Sequence, residues 1–216
     1  APNGMWTYIT SVYYLANRDN DGMLDDKKFY DFLNKITAFI WSYSFINPGV
    51  NALRGPIFAE MVNIIEGKKV DFLDYKFDIQ QLKNAINNYV FSNARPITKS
   101  MLAWWAFNDE KQNLIIPLSQ TFQIEHIYAK NHSIKLTDYS NVESLGNKVL
   151  LEDFINIRAS DYRFIDKVEY YKNARGKGTS INELREMSDT LKNFTENEIV
   201  QRKALIIQKF IEYLKK

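Results

Sequence analysis

The sequence contains no cysteine and only two histidines, His126 and His132. The absence of cysteine excludes disulfide bonds and any structural zinc site that needs thiolate ligands, and it favours a reducing cytoplasm. Imidazole is the side chain best suited to accept a proton near neutral pH. Any general-base chemistry by histidine therefore has to use one of these two residues.

Long apolar runs are also absent, and no segment approaches the roughly 20 residues that a membrane-spanning helix requires. Residues 1–5 lack the charged and apolar regions of a signal peptide. We therefore expect a protein that works without a membrane, in the cytoplasm. Because the chain does not begin with methionine, we also expect a tag remnant or a fragment of a longer protein.

The chain has 216 residues, of which 45% are hydrophobic and 14% aromatic. This content is enough for one large domain or two small domains with real cores, and it argues against disorder. The formal net charge is only +2. A weakly basic balance permits nucleic-acid binding without requiring it, because local patches of charge matter more than their sum.

The apolar pattern changes along the chain. Residues up to about 115 have helical periodicity, and Asp78 to Gln81 has the form of a capping box. Residues 114–118 and 122–127 predict short strands, whereas 128–146 are polar and loop-like. A further strand is predicted at 148–151 and a helix from Asp153, and two more capping boxes stand at 180–183 and 195–198.

Three polar residues lie at or near the ends of these two strands and the start of this helix. His126 ends the first strand, Asn147 precedes the second, and Asn156 lies just inside the helix. Phosphodiester hydrolysis needs a base for the attacking water and positive charge for the phosphate, which histidine and an oxygen-bound cation supply. We expect His126 to be the base, Asn147 to brace the loop, and Glu125 with Asn156 to bind one Mg²⁺ or Mn²⁺.

Basic residues follow Asn156 and form a candidate phosphate-binding cluster. They are Arg158, Arg163, Lys167, Lys172, Arg175 and Lys177. Acidic residues are interleaved with them, so an ordinary solvated face is an equally good interpretation.

Several motifs resemble the C-terminal HNH-type domain of GmrSD-type, modification-dependent (type IV) restriction enzymes. The matching segments are Ile124-Glu125-His126-Ile127, Leu145-Gly146-Asn147-Lys148-Val149-Leu150-Leu151, Asn156, Phe164 with Lys167, and Phe194 to Arg202. The resemblance covers roughly residues 95–216. Ala129 departs from it, since the family usually has a proline there, and Asp161 replaces a common asparagine.

The fold expected is mainly α, with a ββα-metal (HNH, His-Me finger) module embedded at about residues 118–167. Residues 1–95 are expected to be a helical connecting region, and 96–216 the nuclease domain. The resemblance implies a bacterial, divalent-metal-dependent DNA endonuclease of phage defence, acting on DNA that carries modified bases or on plain DNA. It also implies a missing N-terminal NTPase-like domain. The alternatives are a non-catalytic DNA- or partner-binding module with a degenerate HNH segment, and a nuclease acting on RNA.

Overall fold

The computed structural model describes residues 4–49, 51–72, 75, 77–112, 120–174 and 176–214. Within these residues the fold is mainly helical with one two-stranded sheet, which confirms the mainly α prediction. The described residues form two compact units, one of residues up to Tyr89 and from Phe210, the other from Val90 to Lys209. None of the described helices combines the length and apolar character needed to cross a membrane.

The first unit is built from four helices at the start of the chain. They are α1 (Met5–Asn17), α2 (Asp26–Ile46), α3 (Arg54–Ile65) and α4 (Ile79–Asn88). Helix α1 contacts α2 and α3, and α2 contacts α4. Apolar residues of α2 supply much of the core, in which the rings of Phe39 and Phe72 stack with centroids 3.8 Å apart.

Two of these helices begin at side-chain caps, because a capping carboxylate satisfies a backbone N–H that has no partner in the first turn. Asp25 accepts a hydrogen bond from the backbone N–H of Lys28 at 2.8 Å. Asp78 accepts one from the backbone N–H of Gln81 at 2.6 Å, so the capping box predicted at this position is confirmed in its N-cap half.

The second unit contains the sheet and the helices around it. Its elements are α5 (Pro96–Phe107), β1 (Phe122–His126), β2 (Lys148–Glu152), α6 (Asp153–Ala159), α7 (Phe164–Asn173) and α8 (Asn182–Thr190), followed by α9 (Glu196–Leu214), which enters the other unit at Phe210. Three short 3₁₀ turns, at Lys130–Lys135, Tyr139–Glu143 and Leu145–Asn147, form the predicted loop between the strands. The strand predicted at residues 114–118 lies outside the described residues.

Strands β1 and β2 are antiparallel, and their register pairs Phe122 with Glu152 and His126 with Lys148. All five residues of β2 are buried. Helix α6 follows β2 without a gap and contacts both strands, while α5 also contacts β2. The order strand, strand, helix is therefore present where the sequence predicted it.

One predicted helix start is wrong. Ser180 does not cap α8, which begins at Asn182 after an N-cap residue without a side-chain hydrogen bond. Instead, the backbone N–H and the hydroxyl of Ser180 donate to the buried carboxylate of Glu152. In contrast, Glu198 accepts a hydrogen bond from the backbone N–H of Thr195 at 2.7 Å, as expected for the capping box before α9.

Candidate active site

The register of the sheet decides which side chains share a face. His126 lies directly opposite Lys148, and residues directly opposite in an antiparallel pair project to the same side. Glu125 pairs with Val149 and therefore projects to the other side, because successive residues of a strand alternate. The two neighbouring residues that the sequence assigned to one site thus have different surroundings.

The imidazole of His126 is largely buried, with 15% of its side chain exposed. Its Nε2 atom is fully buried, has no hydrogen-bond partner in the described part of the chain, and lies 3.6 Å from Oε1 of Glu143. Burial, helped by the nearby charge of Lys148, lowers the pKa of His126 to about 4 although Glu143 opposes this effect. The ring is therefore uncharged at neutral pH and able to accept a proton.

Glu143 is the acidic residue whose carboxylate faces this imidazole. Its Oε1 accepts a hydrogen bond from Nζ of Lys130 at 3.1 Å, and its Oε2 accepts one from Nζ of Lys148 at 2.5 Å. Burial would raise the pKa of Glu143, but these lysines outweigh it and lower the pKa to about 2. Glu143 is therefore ionised throughout the neutral range.

Lys148 is a buried lysine with three acceptors. Besides Glu143, its ammonium donates to the backbone carbonyl of Phe91 at 2.5 Å and to Oδ1 of Asn93 at 2.8 Å. Three acceptors match the three protons of an ammonium, which is the condition for burying this charge. Burial nevertheless lowers the pKa of Lys148, against the opposing effect of Glu143.

On the other side of β1, Glu125 is enclosed by α7. Its Oε1 lies 2.6 Å from Nζ of Lys167 and accepts a hydrogen bond from the hydroxyl of Tyr171 at 2.8 Å. Nζ of Lys167 also donates to the backbone carbonyl of His126 at 2.6 Å. Burial raises the pKa of Glu125 despite Lys167 and Tyr171. The pair fixes the end of β1 from inside the fold.

Asn147 joins the loop to the end of β1 through its side chain. Its Nδ2 donates to the carbonyls of Tyr128 at 3.1 Å and Val142 at 3.0 Å, and its Oδ1 accepts from the backbone N–H of Tyr128 at 2.7 Å. The residue has no exposed surface. This is the arrangement that a bracing role requires, since one amide holds both ends of the connection between the strands.

Asn156 lies in the second turn of α6, where its Oδ1 is buried and makes no hydrogen bond within the described part of the chain. A buried carbonyl oxygen without a donor is unusual, because losing its water costs on the order of 1–3 kcal/mol. In the strand, strand, helix segment, Asn156 Oδ1 and His126 Nε2 are thus both buried without a hydrogen-bond partner in the described residues.

Arg202 of α9 holds the loop before β2 through hydrogen bonds to its backbone carbonyls. One of its terminal nitrogens donates to the carbonyls of Leu145, Gly146 and Lys148 at 3.1, 3.0 and 2.7 Å. The rest of the guanidinium pairs with both carboxylate oxygens of Glu183 at 2.7 and 2.8 Å. Arg202 thereby satisfies three backbone carbonyls at the entrance of the second strand.

Gly146 permits this close approach to α9. A Cβ at this position would lie 2.0 Å from the backbone carbonyl oxygen of Ile199 and 2.8 Å from the backbone nitrogen of Lys203. Both atoms belong to a helix backbone and have little freedom to move. Only glycine fits here.

Comparison with known families identifies one family for most of the chain. The family model of the GmrSD restriction endonucleases, C-terminal domain, matches residues 76–209. The chain belongs to this family. The match confirms the resemblance expected from the motifs and begins somewhat earlier than residue 95. No curated protein and no solved structure matches the chain.

A restriction nuclease family suggests a divalent metal cofactor in general. Among the described residues no group of three or more histidine, aspartate or glutamate side chains is placed to hold a metal ion. Asn156 fits a ligand role, because its buried Oδ1 has no donor in the described residues. Glu125 fits one only if its carboxylate exchanges Lys167 for the cation.

The basic residues predicted to bind DNA have different positions in this GmrSD-family domain. Arg158 and Lys177 are exposed. Arg163 is exposed and pairs with Asp166, and the exposed Lys172 pairs with Asp189 of α8. Lys167 is only 1% exposed, so in this arrangement it has no surface to offer to a DNA backbone. Arg175 lies outside the described residues.

Sequence reasoning missed Glu143 and the buried Lys148. Glu143 belongs to a polar loop without periodicity, 17 positions after His126, where nothing in the local pattern marks it. Lysine is rarely buried, so Lys148 reads as a surface residue unless its pairing partner is known. The one sequence feature that pointed to Lys148 was its position directly after Asn147, as the first residue of the predicted second strand.

Proposed function

We propose that this chain is a divalent-metal-dependent DNA endonuclease in which His126 is the general base. The observation that carries the proposal is the position of His126, a mostly buried imidazole at the end of β1 in the strand, strand, helix segment of a chain from a restriction-endonuclease family. An uncharged imidazole accepts the proton of a water molecule as that water attacks phosphorus.

Glu143 favours the proton transfer, whereas burial and Lys148 oppose it. As the ring gains a proton it becomes an imidazolium, and the ionised carboxylate of Glu143 lies 3.6 Å from its Nε2. A negative charge at this distance stabilises the imidazolium more than the neutral ring. The same contact opposes the loss of basicity that burial and Lys148 cause.

The phosphate needs positive charge that the imidazole does not provide. When bound, a divalent cation neutralises the charge on the phosphate oxygens and stabilises the leaving oxygen. Asn156 is the first ligand we propose, because its buried Oδ1 has no donor in the described part of the chain. Glu125 can serve as a second ligand only after Lys167 releases it, because its carboxylate is paired with Lys167 and projects to the side of β1 away from His126.

DNA is the substrate we propose, with base-modified DNA included, because the family consists of restriction endonucleases. The exposed Arg158 and Lys177 are available to the phosphate backbone. Arg163 and Lys172 are held by exposed ion pairs, which contribute little and which a phosphate can displace. We also propose that an NTPase-like domain precedes this region in the complete protein.

The test is cleavage of DNA by the purified chain. Supercoiled plasmid, plain or carrying modified bases, is incubated with Mg²⁺, Mn²⁺ or EDTA, beside a structured RNA of similar mass. The proposal predicts nicked or linear plasmid with a divalent cation and intact plasmid in EDTA. Binding of DNA in a gel shift without cleavage of any substrate would contradict it and support the non-catalytic binding module.

A matched variant tests the ligand role of Asn156. Asn156→Ala is expected to raise the cation concentration needed for half-maximal cleavage by about tenfold or more, because the cation loses one oxygen. Asn173→Ala, at the exposed end of α7, is the control. An unchanged metal titration of Asn156→Ala would contradict the ligand role.

A further inference from the structure

The carboxylate of Glu143 lies between the candidate base and two ammonium groups. Oε1 is 3.6 Å from Nε2 of His126 and 3.1 Å from Nζ of Lys130, while Oε2 is 2.5 Å from Nζ of Lys148. These three cationic or titratable groups are the ones that the structure places around it. The sequence marks none of these contacts, and they join three segments that are separate in the chain.

The position of Glu143 is fixed independently of His126. Lys148 is buried, and its other two partners, the carbonyl of Phe91 and the side chain of Asn93, hold its ammonium in place. Lys148 in turn holds Oε2 of Glu143, so Oε1 is aimed at the imidazole by a rigid neighbour. The register of the sheet reinforces this, because Lys148 lies directly opposite His126.

The chemistry of a carboxylate between two ammonium groups allows one role toward the ring. An ionised carboxylate only accepts hydrogen bonds. The nitrogen that faces it is Nε2, which is buried and has no other partner in the described residues. The favourable neutral tautomer therefore has its proton on Nε2 and its lone pair on Nδ1.

We propose that Glu143 is the positioning residue of His126, which holds the imidazole as the Nε2–H tautomer so that Nδ1 takes the proton of the attacking water. The separation of 3.6 Å is slightly longer than a hydrogen bond. Catalytic hydrogen bonds are often long without substrate and shorten when it binds. The inference rests on the proposed function, since His126 is the base in both.

The direct test is the tautomer of His126 in solution. Long-range ¹H–¹⁵N correlation spectra of protein labelled in histidine report which ring nitrogen carries the proton. The chain has two histidines, so a spectrum of His132→Asn assigns both. We expect the Nε2–H form for His126 in the wild-type protein near pH 7. The Nδ1–H form, or an even mixture of the two, would overturn the proposal without any variant of Glu143.

Glu143→Gln gives a result that a merely structural role would not produce. Lys148 donates hydrogen bonds only, so the amide oxygen of glutamine turns toward it and the amide NH₂ turns toward His126. An NH₂ group cannot accept from Nε2–H, and we expect His126 to change to the Nδ1–H form. Glu143→Asp keeps the charge and should keep the Nε2–H form. Glu169→Gln, an exposed acid on α7, is the matched control.

Cleavage kinetics test the consequence for the base. At saturating DNA we expect Glu143→Gln to slow single-turnover cleavage about 10- to 100-fold, as expected for a residue that orients another, with KM changed by less than about twofold. Glu143→Asp should recover part of the rate, and Glu169→Gln should retain it. Full activity of Glu143→Gln together with an unchanged tautomer would overturn the role of Glu143 while leaving the nuclease intact. A wild-type chain that cleaves nothing would overturn the proposed function instead, and its tautomer would still decide whether Glu143 holds the ring.

Discussion

The ammonium of Lys167 lies 2.6 Å from a carboxylate oxygen of Glu125, and both side chains are buried. The sequence assigned one of them to DNA and the other to a metal ion. In the structure each of the two is the partner that allows the other to be buried. Since Lys167 also donates to the carbonyl of His126, the pair connects α7 to the residue we propose as the base.

Lys167→Met is therefore expected to destabilise the protein by about 3–5 kcal/mol at pH 7, because it leaves an unpaired buried carboxylate. The loss should shrink toward pH 5, where Glu125 can escape by taking a proton, since burial already raises its pKa. Urea unfolding at both pH values measures this. Lys172→Met, on the same helix but exposed, should change stability by less than about 0.5 kcal/mol. A Lys167→Met protein as stable as the wild type would refute the structural role of the pair.

Asn147→Ala should lower the free energy of unfolding by at least about 2 kcal/mol. It removes three side-chain hydrogen bonds and leaves the carbonyls of Tyr128 and Val142 and one N–H without partners. Asn173→Ala is the exposed control and should have little effect. Equal unfolding midpoints for the two variants in urea would contradict the bracing role.

Gly146→Ala is expected to cost roughly 2–3 kcal/mol or more, because its new Cβ would overlap the backbone of α9 at the carbonyl of Ile199. Gly55→Ala is the matched substitution in α3, where the nearest atom to a new Cβ is 3.9 Å away. It should leave stability unchanged or raise it by up to about 1 kcal/mol. Thermal melting of the two variants checks both expectations, and a neutral Gly146→Ala would contradict the close packing.

Stability should fall in acid through His126. Its pKa is about 4 in the folded protein, below its ordinary value of 6.5, so the unfolded chain binds the proton more readily. The stability from the neutral ring is complete above pH 6.5 and is lost as the pH falls toward 4. Glu143, with its pKa lowered from 4.5 to about 2, adds a loss only below pH 4.5.

Between pH 6.5 and 4.5 the contribution of His126 amounts to about 2 kcal/mol. His126→Asn, which does not titrate, should lose that much less stability over this interval than the wild type, as measured by urea unfolding at several pH values. His132→Asn leaves His126 in place and should follow the wild-type curve. Parallel curves for His126→Asn and the wild type would show that the ring is not held neutral.

The sequence predicted the fold where local chemistry decides it. The helical periodicity of residues up to about 115, the N-cap at Asp78 and the capping box at Thr195 need only neighbouring residues, and the described part of the structure contains them. The box at Ser180 failed because a tertiary partner intervened. Glu152 takes the hydrogen bonds of Ser180, so the side chain that would have capped α8 is used elsewhere.

The sequence predicted where the candidate site residues lie in the strands, loop and helix, but it did not predict which charged groups surround them. His126 ends β1, Asn147 ends the loop before β2 and Asn156 lies inside α6, and spacing along the chain locates all three. The partners of His126 and Glu125 are far from them along the chain or lie in irregular loops. Which partner each residue meets depends on the side of β1 to which its side chain projects. The burial of Lys148 and Lys167 follows from those partners, which no single-segment pattern contains.

The central claim is that His126 takes the proton of the attacking water. It is tested most directly by single-turnover cleavage of plasmid DNA by the wild type, His126→Ala and His132→Ala at equal protein and cation concentrations, with folding checked by thermal melting. Loss of a positioned general base should slow His126→Ala by at least about 100-fold, while His132→Ala stays within about threefold of the wild type. A folded His126→Ala protein that cleaves DNA at the wild-type rate would contradict the account.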